Sequence, residues 1–131
     1  MRPITASDLM NPLVLAVPGE MPIRGLASFL IENEITGAPV QDTLGRLVGV
    51  VSMVDIAAVL ARESGEEEPQ TVAEIMSPGV VTVREEATVS EIASLMLSRH
   101  LHRVVVLRGD EAVGVISTTD LLGLLLEEHQ N

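Results

Sequence analysis

The chain has 131 residues, 47% of them apolar, a formal net charge of -11 and no cysteine; it is the size of one compact domain, with material for a buried core. That charge repels a phosphate backbone and argues against nucleic-acid binding, while the missing cysteines exclude disulfides, thiolate metal sites and thiol redox chemistry. All eight basic residues are Arg and Phe29 is the only aromatic, which removes the P-loop lysine, Schiff-base chemistry and base-stacking platforms together.

The start, Met1-Arg2-Pro3-Ile4-Thr5, lacks the basic-then-apolar layout of a secretion signal, and no apolar run along the chain reaches the roughly 18 residues of a membrane span. A soluble, cytoplasmic protein is expected. Thr5 with Asp8 in capping-box spacing predicts a short helical turn, and a strand follows at Val14 to Val17. Pro22 opens a helix whose apolar residues Ile23, Leu26, Ala27, Leu30 and Ile31 fall on one face. Two β-rich runs around Gly45 predict a hairpin, and a second helix opens after Ser52.

The same order then repeats. Thr5, Met10, Pro12, Glu20 and Val40 recur 66 residues on as Thr71, Met76, Pro78, Glu86 and Val106. Past each hairpin the offset falls to 65, pairing Gly49, Ser52 and Asp55 with Gly114, Ser117 and Asp120. One residue is therefore lost in the loop that contains Gly45 or Gly109. The second copy has its own capping pair Thr71/Glu74, a strand at Val80 to Val83, a helix begun by Thr88/Glu91 with stripe Val89, Ile92, Ala93, Met96 and Leu97, and a last helix after Ser117. The expected fold class is α+β: two β-α-β-β-α motifs at 1–62 and 71–131, joined by a polar acidic linker at 63–70. A motif of about 60 residues leaves much apolar surface uncovered alone, so the two are expected to pack into one module.

At this level of detail the chain resembles the CBS-domain family, named after cystathionine β-synthase, whose motifs occur in pairs that form a pseudo-twofold Bateman module. The resemblance rests on the openings Asp8-Leu9-Met10-Asn11-Pro12 and Glu74-Ile75-Met76-Ser77-Pro78, the amphipathic first helices, the strand start Ala38-Pro39-Val40, and the segments Gly49-Val50-Val51-Ser52-Met53-Val54-Asp55 and Gly114-Val115-Ile116-Ser117-Thr118-Thr119-Asp120. It implies a non-catalytic regulatory module that binds an adenine nucleotide or adenosyl ligand (AMP, ADP, ATP or S-adenosylmethionine) in the cleft between motifs.

In that comparison the last segments look like a ribose and phosphate motif. An Asp at a helix start can accept hydrogen bonds from both ribose hydroxyls, and a Ser with the helix N–H groups suits phosphate oxygens. Asp55 and Asp120 become ribose candidates, with Ser52 and Ser117 beside them; Ser-x-x-Asp is equally a plain helix cap. The run Leu101-His102-Arg103-Val104 is similar to a phosphate-facing strand start, making His102 and Arg103 phosphate candidates, against the alternative that Arg99, Arg103 and Arg108 merely solvate a helix end and turn. The first copy has Thr36 and Gly37 there, so the halves are chemically unequal. By the family pattern, Asp120, Ser117 and Thr119 would be completed by Leu13, Leu15, Thr36 and Gly37, and Asp55 and Ser52 by Gly79, Val81, His102 and Arg103. Without aromatics, adenine would be held between aliphatic side chains and read by the backbone.

Neither a nucleophile elbow nor a His-Glu-x-x-His motif is present, and His100 and His102 without a third ligand read as surface groups, so no metal is expected. The leucines of the final helix, Leu121, Leu122, Leu124, Leu125 and Leu126, leave almost no polar face. They fit either the internal core or a homodimer of the kind CBS modules form through such helices. The competing function is a dimerising interaction module without a small ligand. An effector protein, unidentified by the sequence, is implied in either case.

Overall fold

A computed structural model describes residues 3–62 and 71–129, with side chains to 126. The expected linker at 63–70 lies outside the described residues. In chain order the elements are α1 (Ala6–Leu9), β1 (Val17–Pro18), α2 (Ile23–Glu32), β2 (Gly37–Gln41), β3 (Leu47–Ser52), α3 (Met53–Leu60), α4 (Val72–Ile75), β4 (Ser77–Pro78), β5 (Thr82–Arg84), α5 (Val89–Arg99), β6 (Arg103–Arg108), β7 (Glu111–Ser117) and α6 (Thr118–His129). Helices and sheets occur in the mixed α+β order expected from the repeat.

The units of packing are not the units of the repeat. One compact unit is Leu15–Val80; the other joins Met1–Val14 to Val81–Asn131. Each copy's opening therefore belongs to the unit built mainly from the other copy.

In the continuous unit, β1 runs parallel to β2 and β2 antiparallel to β3, with Gly37 opposite Ser52; β4 then adds an edge through Gly49↔Pro78 and Val50↔Ser77. A proline on an edge strand sacrifices no ladder hydrogen bond, which is why Pro78 is tolerated there. The core contains Val17, Leu26, Leu30, Ala38, Val40 and Val51, and it is closed by Val72 from the second copy's opening. The Val72 N–H donates to the Met21 carbonyl at 2.9 Å and the Ala73 N–H to Gly19 at 2.8 Å.

The discontinuous unit repeats this design. β5 is parallel to β6 and β6 antiparallel to β7, while Asn11 bridges Val115 through reciprocal N–H to carbonyl bonds of 2.9 and 3.0 Å. Its core, Ile92, Met96, Val104, Val106 and Ile116, is closed by Ala6, whose N–H donates to the Ala87 carbonyl at 2.8 Å.

The helical stripes hold at their centres and fail at their ends. Leu26, Leu30, Ile92 and Met96 are buried, but Ile31 and Leu97 are 71% and 77% exposed. The first strand, Val17–Pro18, is shorter than Val14 to Val17 suggests, and its counterpart β5 spans Thr82–Arg84. The lost residue falls where expected: residues 42–46 separate paired Gln41 and Leu47, and 108–111 separate Leu107 and Ala112. Gly45 and Gly109 adopt φ of +80° and +61° in those turns, a region glycine enters without steric cost.

The openings explain the recurring Met and Gly. A Cβ on Gly49 would lie 2.6 Å from Met76 Sδ and 2.7 Å from the Ser77 carbonyl oxygen, and one on Gly114 would collide with the Met10 side chain. Each opening thus lays its methionine on the bare glycine of the other copy's hairpin.

Candidate functional site

Both Ser-x-x-Asp segments sit where a strand turns directly into a helix. The Ser52 N–H and hydroxyl donate to Asp55 Oδ2 at 2.8 and 3.3 Å; the Ser117 N–H and hydroxyl donate to Asp120 Oδ2 at 2.7 and 3.1 Å. These are capping boxes that satisfy N–H groups otherwise orphaned at a helix start. Among the described residues the second carboxylate oxygen, Oδ1, accepts no hydrogen bond from either box. Both aspartates are half-buried, so capping and the presentation of an acceptor beside a positive helix end are compatible in one side chain.

In the continuous unit the structure brings Thr36 and Gly37 to the same place: the Met53 N–H donates to the Thr36 carbonyl at 2.9 Å, and Gly37, buried, pairs with Ser52. Leu15, half-buried, lies on the segment that leads into β1. Gly79 is placed otherwise. It is exposed at φ +86°, and its N–H donates to Val48, four residues before Ser52 and so about 13 Å along β3.

The discontinuous unit repeats the arrangement with different side chains. The Thr118 N–H donates to the His102 carbonyl at 2.9 Å, the Val105 N–H to Val81 at 3.1 Å, and Arg103 pairs with Ser117. Thr119 and His102 are exposed. Arg103 is half-buried, and burial lowers the pKa of its guanidinium, marking a cation partly stripped of water beside the second box. Leu13 is 61% exposed and its N–H donates to Asn11 Oδ1, two residues beyond the Asn11–Val115 bridge.

Phe29 packs against the core of the continuous unit. Among the described residues no group of three or more His, Asp or Glu is arranged to hold a metal, and no helix is long and apolar enough to cross a membrane. Besides Ile31 and Leu97, large apolar side chains lie exposed on α3 and α6, with Leu60 at 80% and Leu126 at 65%.

What the sequence reading missed is the role of the Met–Gly contacts in anchoring β3 and β7, the strands that carry Ser52 and Ser117. The signal was present as a Met and a Gly that each recur in both copies; a match between copies does not say which copy each packs against.

A family model for the CBS domain matches residues 6–62 and 72–127. The chain is 29% identical over 91% of its length to L-aspartate semialdehyde sulfurtransferase of Methanocaldococcus jannaschii, covering 23% of that protein. It is 32% identical over 94% of its length to the magnesium transporter MgtE of Thermus thermophilus, covering 27%. The chain spans only about a quarter to a third of the curated relatives it matches first. Among solved structures, the CBS domain pair of protein MJ0100, in complex with 5′-methylthioadenosine and S-adenosyl-L-methionine, superposes with a TM-score of 0.86 at 26% identity, over 97% of this chain and 99% of that one. CBSX2 in complex with AMP superposes at 0.81 with 23% identity, over 94% and 97%, a likeness of fold. With two matched motifs and this architecture, the chain belongs to the CBS domain family as a tandem pair.

Proposed function

We propose that the chain is a non-catalytic regulatory module that binds an adenosyl ligand, with Asp55 and Asp120 as ribose acceptors. The observation that carries this reading is the duplicated capping box at a helix start, in which Oδ2 takes the bonds of the cap and Oδ1 takes none of them. A CBS pair of similar fold in complex with methylthioadenosine and S-adenosylmethionine supports the ligand class. Ser52, Ser117, Thr119, Thr36, Gly37, Leu13, Leu15, Gly79, Val81, His102 and Arg103 are the proposed neighbours of the ligand. With no Lys and few cations, AMP, ADP and S-adenosylmethionine are better matched than a triphosphate. Action in the cytoplasm, as a homodimer, on a partner protein completes the proposal: a ligand that prefers one of two arrangements of the module shifts their populations, and the partner reads that shift.

A thermal-shift screen with AMP, ADP, ATP, S-adenosylmethionine and a guanine nucleotide tests it. Ligand at about 100 times Kd adds roughly 2.7 kcal/mol and several degrees. A flat response to every adenosyl ligand would favour the second reading, an interaction module built on the exposed apolar residues of α3 and α6.

A further inference from the structure

The two boxes are alike; the strand starts paired with them are not. Ser117 lies opposite Arg103, whereas Ser52 lies opposite Gly37, a residue without a side chain. Arg46 is held by Asp42 and Arg108 by Glu85 at the hairpin ends, the far ends of those strands from Gly37 and Arg103. A phosphate taken from water needs a partner of opposite charge, and a guanidinium supplies one with a planar fork of donors. A thioether or hydroxyl in the same position needs none.

Resting on the adenosyl-binding reading above, we infer that the chain divides its ligands by charge: one adenosine position, served by Arg103, takes a phosphorylated ligand such as AMP, and the other, whose strand start offers Thr36 and Gly37, takes an adenosyl ligand without phosphate. The chain then reads two chemical signals at once, a nucleotide and a thioether nucleoside, rather than two copies of one. The lowered pKa of Arg103 agrees with this, since a desolvated cation gains most from an incoming anion.

Calorimetric titration of the purified chain with AMP and with 5′-methylthioadenosine is the test. One AMP per chain is expected, with methylthioadenosine still binding to AMP-saturated protein. Arg103→Gln should weaken AMP about 10-fold or more and methylthioadenosine less than about 2-fold, and Arg103→Lys should recover part of the loss. Two equal AMP sites, or equal weakening of both ligands, would overturn the division of ligands while leaving adenosyl binding intact. Binding of neither ligand to the unaltered chain would instead overturn the reading on which it rests. Should Arg103→Gln fail to fold, Thr36→Arg replaces it: a second AMP per chain supports the inference, and an unchanged single AMP counts against it.

Discussion

The two units share a skeleton down to single hydrogen bonds and diverge at single side chains. Leu26 and Ile92 occupy matching core positions, as do Val40 and Val106, and Val72 and Ala6 close the two cores in the same way. Asp42 and Arg108, matched by the offset of 66, form ion pairs of opposite polarity, one with Arg46 inside its own hairpin and one with Glu85 across to the strand end. Gly37 and Arg103 differ more consequentially. Packing requires that the matched backbone recur, because Met must lie on Gly and a small plug must close each core; nothing in packing requires the strand starts to match, and there the chemistry separates.

The comparison can be broken first at the cores. Leu26→Ala and Ile92→Ala each remove a fully buried side chain and should each cost about 2–5 kcal/mol, read from urea midpoints; a loss below about 1 kcal/mol at either would deny that unit the core described. The Met–Gly contacts come next. Gly49→Ala and Gly114→Ala should each destabilise by about 1–3 kcal/mol through overpacking. Met10→Ala should relieve Gly114→Ala, and Met76→Ala should relieve Gly49→Ala, each only in part, because the Met10 Cβ that alanine keeps, at 2.9 Å, and the Ser77 carbonyl, at 2.7 Å, still crowd the new Cβ atoms. Complete rescue in either double-mutant cycle would contradict these residual contacts.

Ser52→Ala and Ser117→Ala should lower stability by about 1 kcal/mol each as lost caps, measured by thermal unfolding, and by similar amounts if the boxes are equivalent. The smallest effect is expected at Asp42. The Arg46 backbone N–H, followed by that residue's side chain and the Leu44 N–H, lowers its carboxyl pKa. Its contribution is present above the usual carboxylate range and is lost as pH falls through the lower folded value. Asp42→Asn should flatten that acid limb slightly, and an unchanged limb would show that the hairpin contributes nothing to it.

Local features were legible in the sequence because their partners lie within four residues: the Ser–Asp boxes, the Thr88 cap and the turn glycines all depend on short-range geometry. The arithmetic of the repeat located the hairpin deletion to its loop. Exchange of the openings was not legible. Nothing in the recurrence of the openings shows what Val72, Ala6 and Met10 pack against, or that Ser77-Pro78 forms an edge of β3. Exposure of Ile31 and Leu97 was missed for the same reason, since a stripe has edges that only packing defines. For the site, the residues adjacent to the boxes through ladder pairing, Gly37 and Arg103, were found by resemblance, and their register opposite Ser52 and Ser117 required coordinates.

The central claim is that Asp55 and Asp120 carry a ligand as well as a helix cap. Equilibrium binding of methylthioadenosine and AMP to the Asp55→Asn/Asp120→Asn chain tests it most directly, because asparagine keeps a capping oxygen and loses the charged acceptor. The account predicts affinity reduced at least about 10-fold for both ligands, with the unfolding midpoint held within a few degrees. Wild-type affinity in that variant would contradict it.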